Sequence, residues 1–199
     1  IFSDQEHNIW LGTDYGISLS RYNSALQFVP ISQITGTGDG NQFYSLFRDS
    51  KGFYWFGGTN GVIRFTHPAG NKHDAIWYRM GDKNHPLSHN RIRHIYEDRE
   101  QQLWIATDGS INRYDYNTHQ FVHYNIVDST GTYNTNWAYY LFEDTDGKLW
   151  IATCLGGIFV VDKHKLIQSA GRSYVADQNY SIHNGLSGMF INQIVPDAE

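Results

Sequence analysis

Leu141-Phe142-Glu143-Asp144-Thr145-Asp146-Gly147-Lys148-Leu149-Trp150-Ile151-Ala152-Thr153 reads as a strand, a polar turn and a second strand. An apolar run ends at an acid, Asp-Gly supplies the turn, and an apolar β-rich tetrad follows. The same frame recurs along the chain. Trp10, Trp55, Trp104 and Trp150 are spaced by 45, 49 and 46 residues. An Asp stands six positions before each (Asp4, Asp49, Asp98, Asp144), and an apolar residue stands three before each Asp (Ile1, Leu46, Ile95, Leu141). A Thr follows each Trp by three or four positions: Thr13, Thr59, Thr107 and Thr153. Ile194 and Asp197 restart the frame near the C-terminal end.

Each unit divides into four short strands. Ile92–Glu97 and Tyr139–Glu143 read as first strands, Leu149–Ala152 as a second and Gly157–Val161 as a third. Phe121–Tyr124, Trp77-Tyr78 and Tyr174-Val175 read as fourth strands. No stretch has a sustained 3.6-residue period, although Lys163–Ala170 has room for one helical turn. Four antiparallel strands per unit of about 46 residues is the pattern of a β-propeller blade. Leucine-rich and ankyrin arrays have shorter, helical repeats, and a sandwich does not repeat its Trp at fixed spacing. The expected fold is therefore all-β, with blades at 1–42, 43–91, 92–136 and 137–189 and residues 190–199 opening a further blade. The repeated Trp is expected to fill the space between neighbouring blades. The repeated Asp, in four equivalent copies at strand-to-turn junctions, reads as scaffolding.

The combined pattern, D-x-x-G-x-L-W-I-x-T-x-x-G-I/L followed by an R-Y-D-like strand, resembles the two-component regulator propeller repeat. Its clearest copy is Ile95-Tyr96-Glu97-Asp98, Leu103-Trp104-Ile105-Ala106-Thr107 and Asn112-Arg113-Tyr114-Asp115. The Leu-Ser-x-Asn lead-in of that family stands at Leu87-Ser88-His89-Asn90, with a variant at Gly185–Asn192. Gly58 lengthens the second unit, Asp108-Gly109-Ser110 replaces the usual double Gly, and Ser18–Tyr22 lengthens the first; all three read as bulges or turn variants. The resemblance implies the periplasmic sensor region of a hybrid two-component system of polysaccharide-degrading bacteria. In such proteins a β-sandwich, a membrane span, a histidine kinase, a receiver and a DNA-binding domain follow. The chain carries no motif of those parts, so it is expected to be non-enzymatic itself and to meet the membrane only through other parts of a parent protein.

Composition agrees with this and excludes other classes. Aromatics are 16% of 199 residues, too many apolar rings for disorder. A net charge of −5 argues against a nucleic-acid groove, which needs a basic surface. The lone Cys154 rules out an internal disulfide and a cysteine zinc cluster. No apolar run approaches a membrane span. The start has neither Met nor a signal peptide, which reads as an excerpt of a longer protein.

In a propeller, the loop after the fourth strand shares a face with the loop between strands two and three. Here that face collects residues 31–42, 79–91, 125–136 and 177–189. Saccharides are held by aromatic faces with planar amides, carboxylates or guanidinium groups, and these loops hold both kinds. Trp137 leads the candidates because it lies outside the repeated Trp position. Tyr15, Asn60, His89, Arg91, Tyr133 and Asn136 are further ligand-binding candidates, and the expected ligand is an oligosaccharide. No cofactor and no metal is expected. Asp144-Thr145-Asp146-Gly147 resembles part of a calcium loop but lacks the bidentate acid downstream. Pro86 argues against the helix that would align His85 with His89. Ser187 lacks the second Gly of a nucleophile elbow. A propeller lyase or glycan hydrolase and a purely structural interaction propeller are the alternatives. Four blades make an incomplete ring with two raw faces, so self-association through those faces, or dimerisation of the parent, is expected.

Overall fold

The computed structural model describes residues 1–4, 6–14, 16–23, 29–30, 42–66, 75–83 and 86–197. Four antiparallel four-stranded sheets follow one another. The first holds β1 (Phe2–Ser3), β2 (Ile9–Thr13), β3 (Gly16–Ser20) and β4 (Val29–Pro30). The second holds β5 (Phe43–Arg48), β6 (Tyr54–Gly58), β7 (Gly61–Phe65) and β8 (Ile76–Tyr78). The third holds β9 (Ile92–Glu97), β10 (Leu103–Thr107), β11 (Ser110–Asp115) and β12 (Gln120–Tyr124). These are propeller blades. The first strand of each is an edge, and the first strands of the second, third and fourth blades lie against one another, so they form the inner side of the array.

The fourth blade departs from the expected strand plan. It is built from β14 (Ala138–Glu143), β15 (Lys148–Thr153), β16 (Ile158–Asp162) and β18 (Gln178–Tyr180), so Tyr174-Val175 is not its fourth strand. Asp162 caps a helix, α1 (Lys163–Gln168), by accepting from the N–H groups of His164 and Lys165. The helix consumes the residues that would otherwise turn back along β16. Tyr174–Val175 (β17) then pairs in parallel with β13 (Ile126–Val127), on the segment leaving the third blade. Residues 190–197, read as the opening of a further blade, carry no paired strand. Hydrogen bonds from Gly157 to Met189 and from Ile191 to Thr153 fasten this stretch to the fourth blade.

Strand alternation divides each second strand between two faces. The repeated Trp and the small residue two positions on (Gly12, Gly57, Ala106, Ala152) face one way, and the residues on either side of the Trp face the other. Three apolar clusters result, one per blade junction. Trp10, Trp55 and Trp104 are fully buried in them, each against the following blade. Truncating such a ring costs about 3–5 kcal/mol. Close blade approach explains the small partner: a Cβ on Gly57 would stand 2.4 Å from Ile92 Cγ2. The two outermost faces show the same pattern without a cover. Trp150 is only half-buried, and Ile9, at the register where Leu103 and Leu149 are fully buried, is 43% exposed.

Each repeated Asp ties its turn to its Trp. One carboxylate oxygen accepts from the indole N–H at 2.9, 2.7, 3.0 and 2.6 Å for Asp4, Asp49, Asp98 and Asp144 respectively. The other accepts from the backbone N–H four residues on, at Asn8, Phe53, Gln102 and Lys148. Thr13, Thr107 and Thr153 donate to the carbonyl that closes the next hairpin, at Gly16, Ser110 and Gly157. Thr59, displaced by Gly58, accepts from the Gln42 N–H instead.

Candidate functional site

Trp137 stands immediately before β14 with φ of 57°, the left-handed region that a bulky side chain rarely adopts. Its N–H donates to the Asp108 carbonyl at 3.0 Å, and its own carbonyl accepts from Cys154 N–H at 3.0 Å. Both ends of the residue are thus pinned while the side of the ring stays open; Trp137 is 46% exposed. Such a conformation costs about 1–3 kcal/mol and persists where surrounding structure imposes it.

Two adjoining clefts run from this indole across the face that the loops define. The inner one, about 400 Å³, is lined by Thr132, Tyr133, Asn134, Asn136, Trp137, Leu155 and Gly156. The outer one, about 420 Å³, shares Thr132 and Tyr133 and continues along Asp128, Asp177, Gln178, Asn179, His183 and Asn184. Between them Tyr133 lies within 3.3 Å of the His183 ring nitrogen Nε2. Asp128 shapes the loop by accepting from Thr130 and Tyr133 N–H groups. Desolvation acts to raise its pKa, but these hydrogen bonds outweigh it and hold the carboxyl below the usual carboxylate range.

The structure brings Trp137, Tyr133 and Asn136 into one cleft. Arg91 joins them through Asp108, whose backbone N–H donates to the Arg91 carbonyl at 3.2 Å and whose carboxylate lies 3.9 Å from Arg91 Nη1. His89 turns back on its own loop, its Nδ1 accepting from Arg91 N–H at 3.0 Å. Asn60 is exposed on the second blade, with its carbonyl accepting from Arg79 Nε, and among the described residues no contact links it to the cleft. Tyr15 lies outside the described residues, as do residues 31–41 and His85.

Sequence reasoning missed Arg93. Its Nε and Nη2 reach the two carboxylate oxygens of Asp108 at 2.7 and 3.2 Å, and its guanidinium lies 4.4 Å from the centre of the Tyr139 ring. The cause is a β-bulge, a feature that depends on pairing and leaves no residue signature of its own. It recurs at one place in three first strands, leaving Tyr44, Arg93 and Tyr139 unpaired opposite the second strand.

The fold and this loop face together define a run of β-propeller blades. Residues 37–60, 86–109 and 132–154 match the two component regulator propeller family. The chain is 86% identical to an extracellular domain assigned to the hybrid two component system BT4673 of B. thetaiotaomicron, covering 99% of this chain and 26% of that one at a TM-score of 0.83. It is 24% identical to the corresponding domain of BT3049 from the same organism, covering 100% and 25% at a TM-score of 0.73. The blades described above are two-component regulator propeller repeats, and the chain spans about a quarter of the length of these solved relatives. Virginiamycin B lyase from Staphylococcus aureus shares the fold alone, at 12% identity, 82% and 51% coverage and a TM-score of 0.58. No curated protein matches the chain.

Proposed function

We propose that this chain is the ligand-contacting segment of an extracytoplasmic propeller sensor and that it binds an oligosaccharide without turning it over. The observation that carries this is Trp137: a half-exposed indole held in a strained backbone conformation, over a cleft lined by amides and hydroxyls. Sugar rings stack on such a face, and amides with fixed donors and acceptors read their hydroxyls. The similarity to extracellular domains of hybrid two-component systems supports a sensing role outside the cytoplasm, with the signal passed to a kinase elsewhere in the parent. The cleft residues have their backbone and carboxylate groups committed to shaping loops, which favours binding over acid–base chemistry.

Calorimetry of the intact chain against a panel of neutral and acidic polysaccharide fragments tests the reading, with the Trp137→Gly variant alongside. Binding to a panel member is expected to weaken at least tenfold in the variant. Stability should stay within about 1 kcal/mol of the parent, because Gly adopts φ of 57° without strain. Unchanged affinity would remove Trp137 from the site, and product formation would replace sensing with catalysis.

A further inference from the structure

The three bulged residues are the strongest feature outside the cleft. Tyr44, Arg93 and Tyr139 come from three consecutive blades, yet they share one register position on the inner strands. Bulges break the pleat and re-aim the side chain they carry, and here three large polar side chains are re-aimed at the same place. Arg93 sits between the two tyrosines. Tyr139 packs on its guanidinium, and although desolvation acts to lower the Arg93 pKa, the hydrogen bonds and charge of Asp108 outweigh it and hold it above the ordinary value. Phe190 braces Tyr139 edge-on at 5.2 Å.

We infer that Tyr44, Arg93 and Asp108 form a second, inner subsite that reads a pair of neighbouring hydroxyls on a neutral sugar residue. The inference rests on the saccharide reading above and names the chemistry of its inner end. Arg93 and Asp108 are joined through two parallel hydrogen bonds, so Arg93's charge is matched by a carboxylate before any ligand arrives. Arg93 Nη1 takes no hydrogen bond among the described residues, and the carboxylate oxygens keep lone pairs beyond those used by Arg93. A fixed donor beside a fixed acceptor matches a vicinal diol, whose hydroxyls each donate and accept. Tyr44, 46% exposed at the equivalent bulge of the adjoining inner strand, supplies an open ring, whereas Tyr139 is occupied by the guanidinium. Arg91 does not alter the class: its side chain is 46% exposed and its 3.9 Å contact with Asp108 is a solvent-screened ion pair. The Trp137 N–H donates to the Asp108 carbonyl at 3.0 Å, which places this pair next to the residue that lines the cleft.

The test uses the intact chain, a calorimetric panel of gluco-, galacto-, manno-, xylo- and arabino-oligosaccharides, and the uronate counterpart of each. Neutral members are expected to bind better than their uronates. Arg93→Lys keeps the charge but loses the planar fork and should weaken that binding about tenfold or more. Tyr44→Ala, on an exposed side chain, should weaken it severalfold. A deoxy analogue of the bound sugar should lose affinity for the parent and lose none further for Arg93→Lys, a coupling that a merely structural role would not produce. Binding that survives both substitutions but falls with Trp137→Gly overturns the inner subsite and leaves the cleft standing. Preference for the uronates overturns the neutral class. Silence across the panel overturns both readings.

Discussion

Substituting the repeated Asp by Ala in the third and fourth blades makes the same chemical change with unequal consequences. Asp98 is 4% exposed, accepts three hydrogen bonds, from Glu100 and Gln102 N–H and from Trp104 Nε1 at 3.0 Å, and pairs with Lys163 Nζ at 3.3 Å. Asp144 accepts the equivalent turn bonds from Asp146 and Lys148 and the 2.6 Å bond from Trp150 Nε1. Losing the turn bonds costs about 1–2 kcal/mol at either site. At Asp98 two further losses follow. The fully buried Trp104 keeps an unpaired N–H, worth about 1–3 kcal/mol. Lys163, 1% exposed, keeps its 2.6 Å bond to Glu143 but loses one of its buried carboxylates. The half-buried Trp150 can pass its N–H to water instead. Asp98→Ala should therefore destabilise by about 3 kcal/mol more than Asp144→Ala, a gap of roughly 6–12 °C in Tm for a chain of this size. Urea unfolding followed by far-UV circular dichroism measures both. Equal losses, or a greater loss at Asp144, would refute the assignment of Trp150 to an uncovered blade face.

Two further outcomes follow from the same geometry. His94 accepts from Leu141 N–H through Nδ1 under the stacked Tyr140 ring, and burial pushes its pKa down to about 4. Its folded value is below the unfolded one near 6.5, so its contribution is intact above pH 6.5 and is lost as pH falls towards 4, up to about 3 kcal/mol. His94→Gln should flatten that part of the stability–pH curve; an unchanged slope would place the acid sensitivity elsewhere. The open faces predict concentration-dependent head-to-tail association in sedimentation velocity, abolished by Trp150→Glu or by Ile9→Glu alone, whereas a monomer at every concentration would contradict it.

The blade plan was legible because it rests on side-chain identity at fixed offsets. The Asp–Trp bond needs an acid six residues before an indole, and the blade junction needs a small residue two positions after it. Both requirements are written in the sequence four times. The fourth blade's outer strand was misread because Tyr174-Val175 has strand composition, and composition does not say which strand it pairs with. The Asp162 cap, which diverts the chain, acts through two N–H groups of a helix too short to show a period. Contacts between blades were the least legible. Glu97 accepts from Ser50 N–H at 2.9 Å and Glu143 accepts from Arg99 N–H at 2.8 Å, each clasping the turn of the preceding blade. The second blade has Arg48 at that position, so the clasp does not repeat often enough to be seen as a pattern. In the candidate site, loop position pointed to Trp137, Tyr133 and Asn136, which line one cleft, and not to the bulged residues, since a bulge is set by how two strands pair.

Those inter-blade contacts constrain how binding can be transmitted. Trp137 and Tyr139 belong to the fourth blade, Arg93 and Asp108 to the third, and Tyr44 to the second, so a ligand touching them all bridges three blades. Such a ligand shifts a conformational equilibrium only by its preference for one blade arrangement, about 1.4 kcal/mol for each tenfold difference in affinity. The junction between the third and fourth blades resists rearrangement. It is a packed apolar cluster containing Trp104, Ile151 and Phe159, reinforced at the rim by Lys163 with Asp98 and Glu143. Packed cores deform in discrete steps, not continuously. The third and fourth blades are therefore expected to move together as one unit. The two outermost faces, at Ile9 and at Trp150, lack such a packed cover.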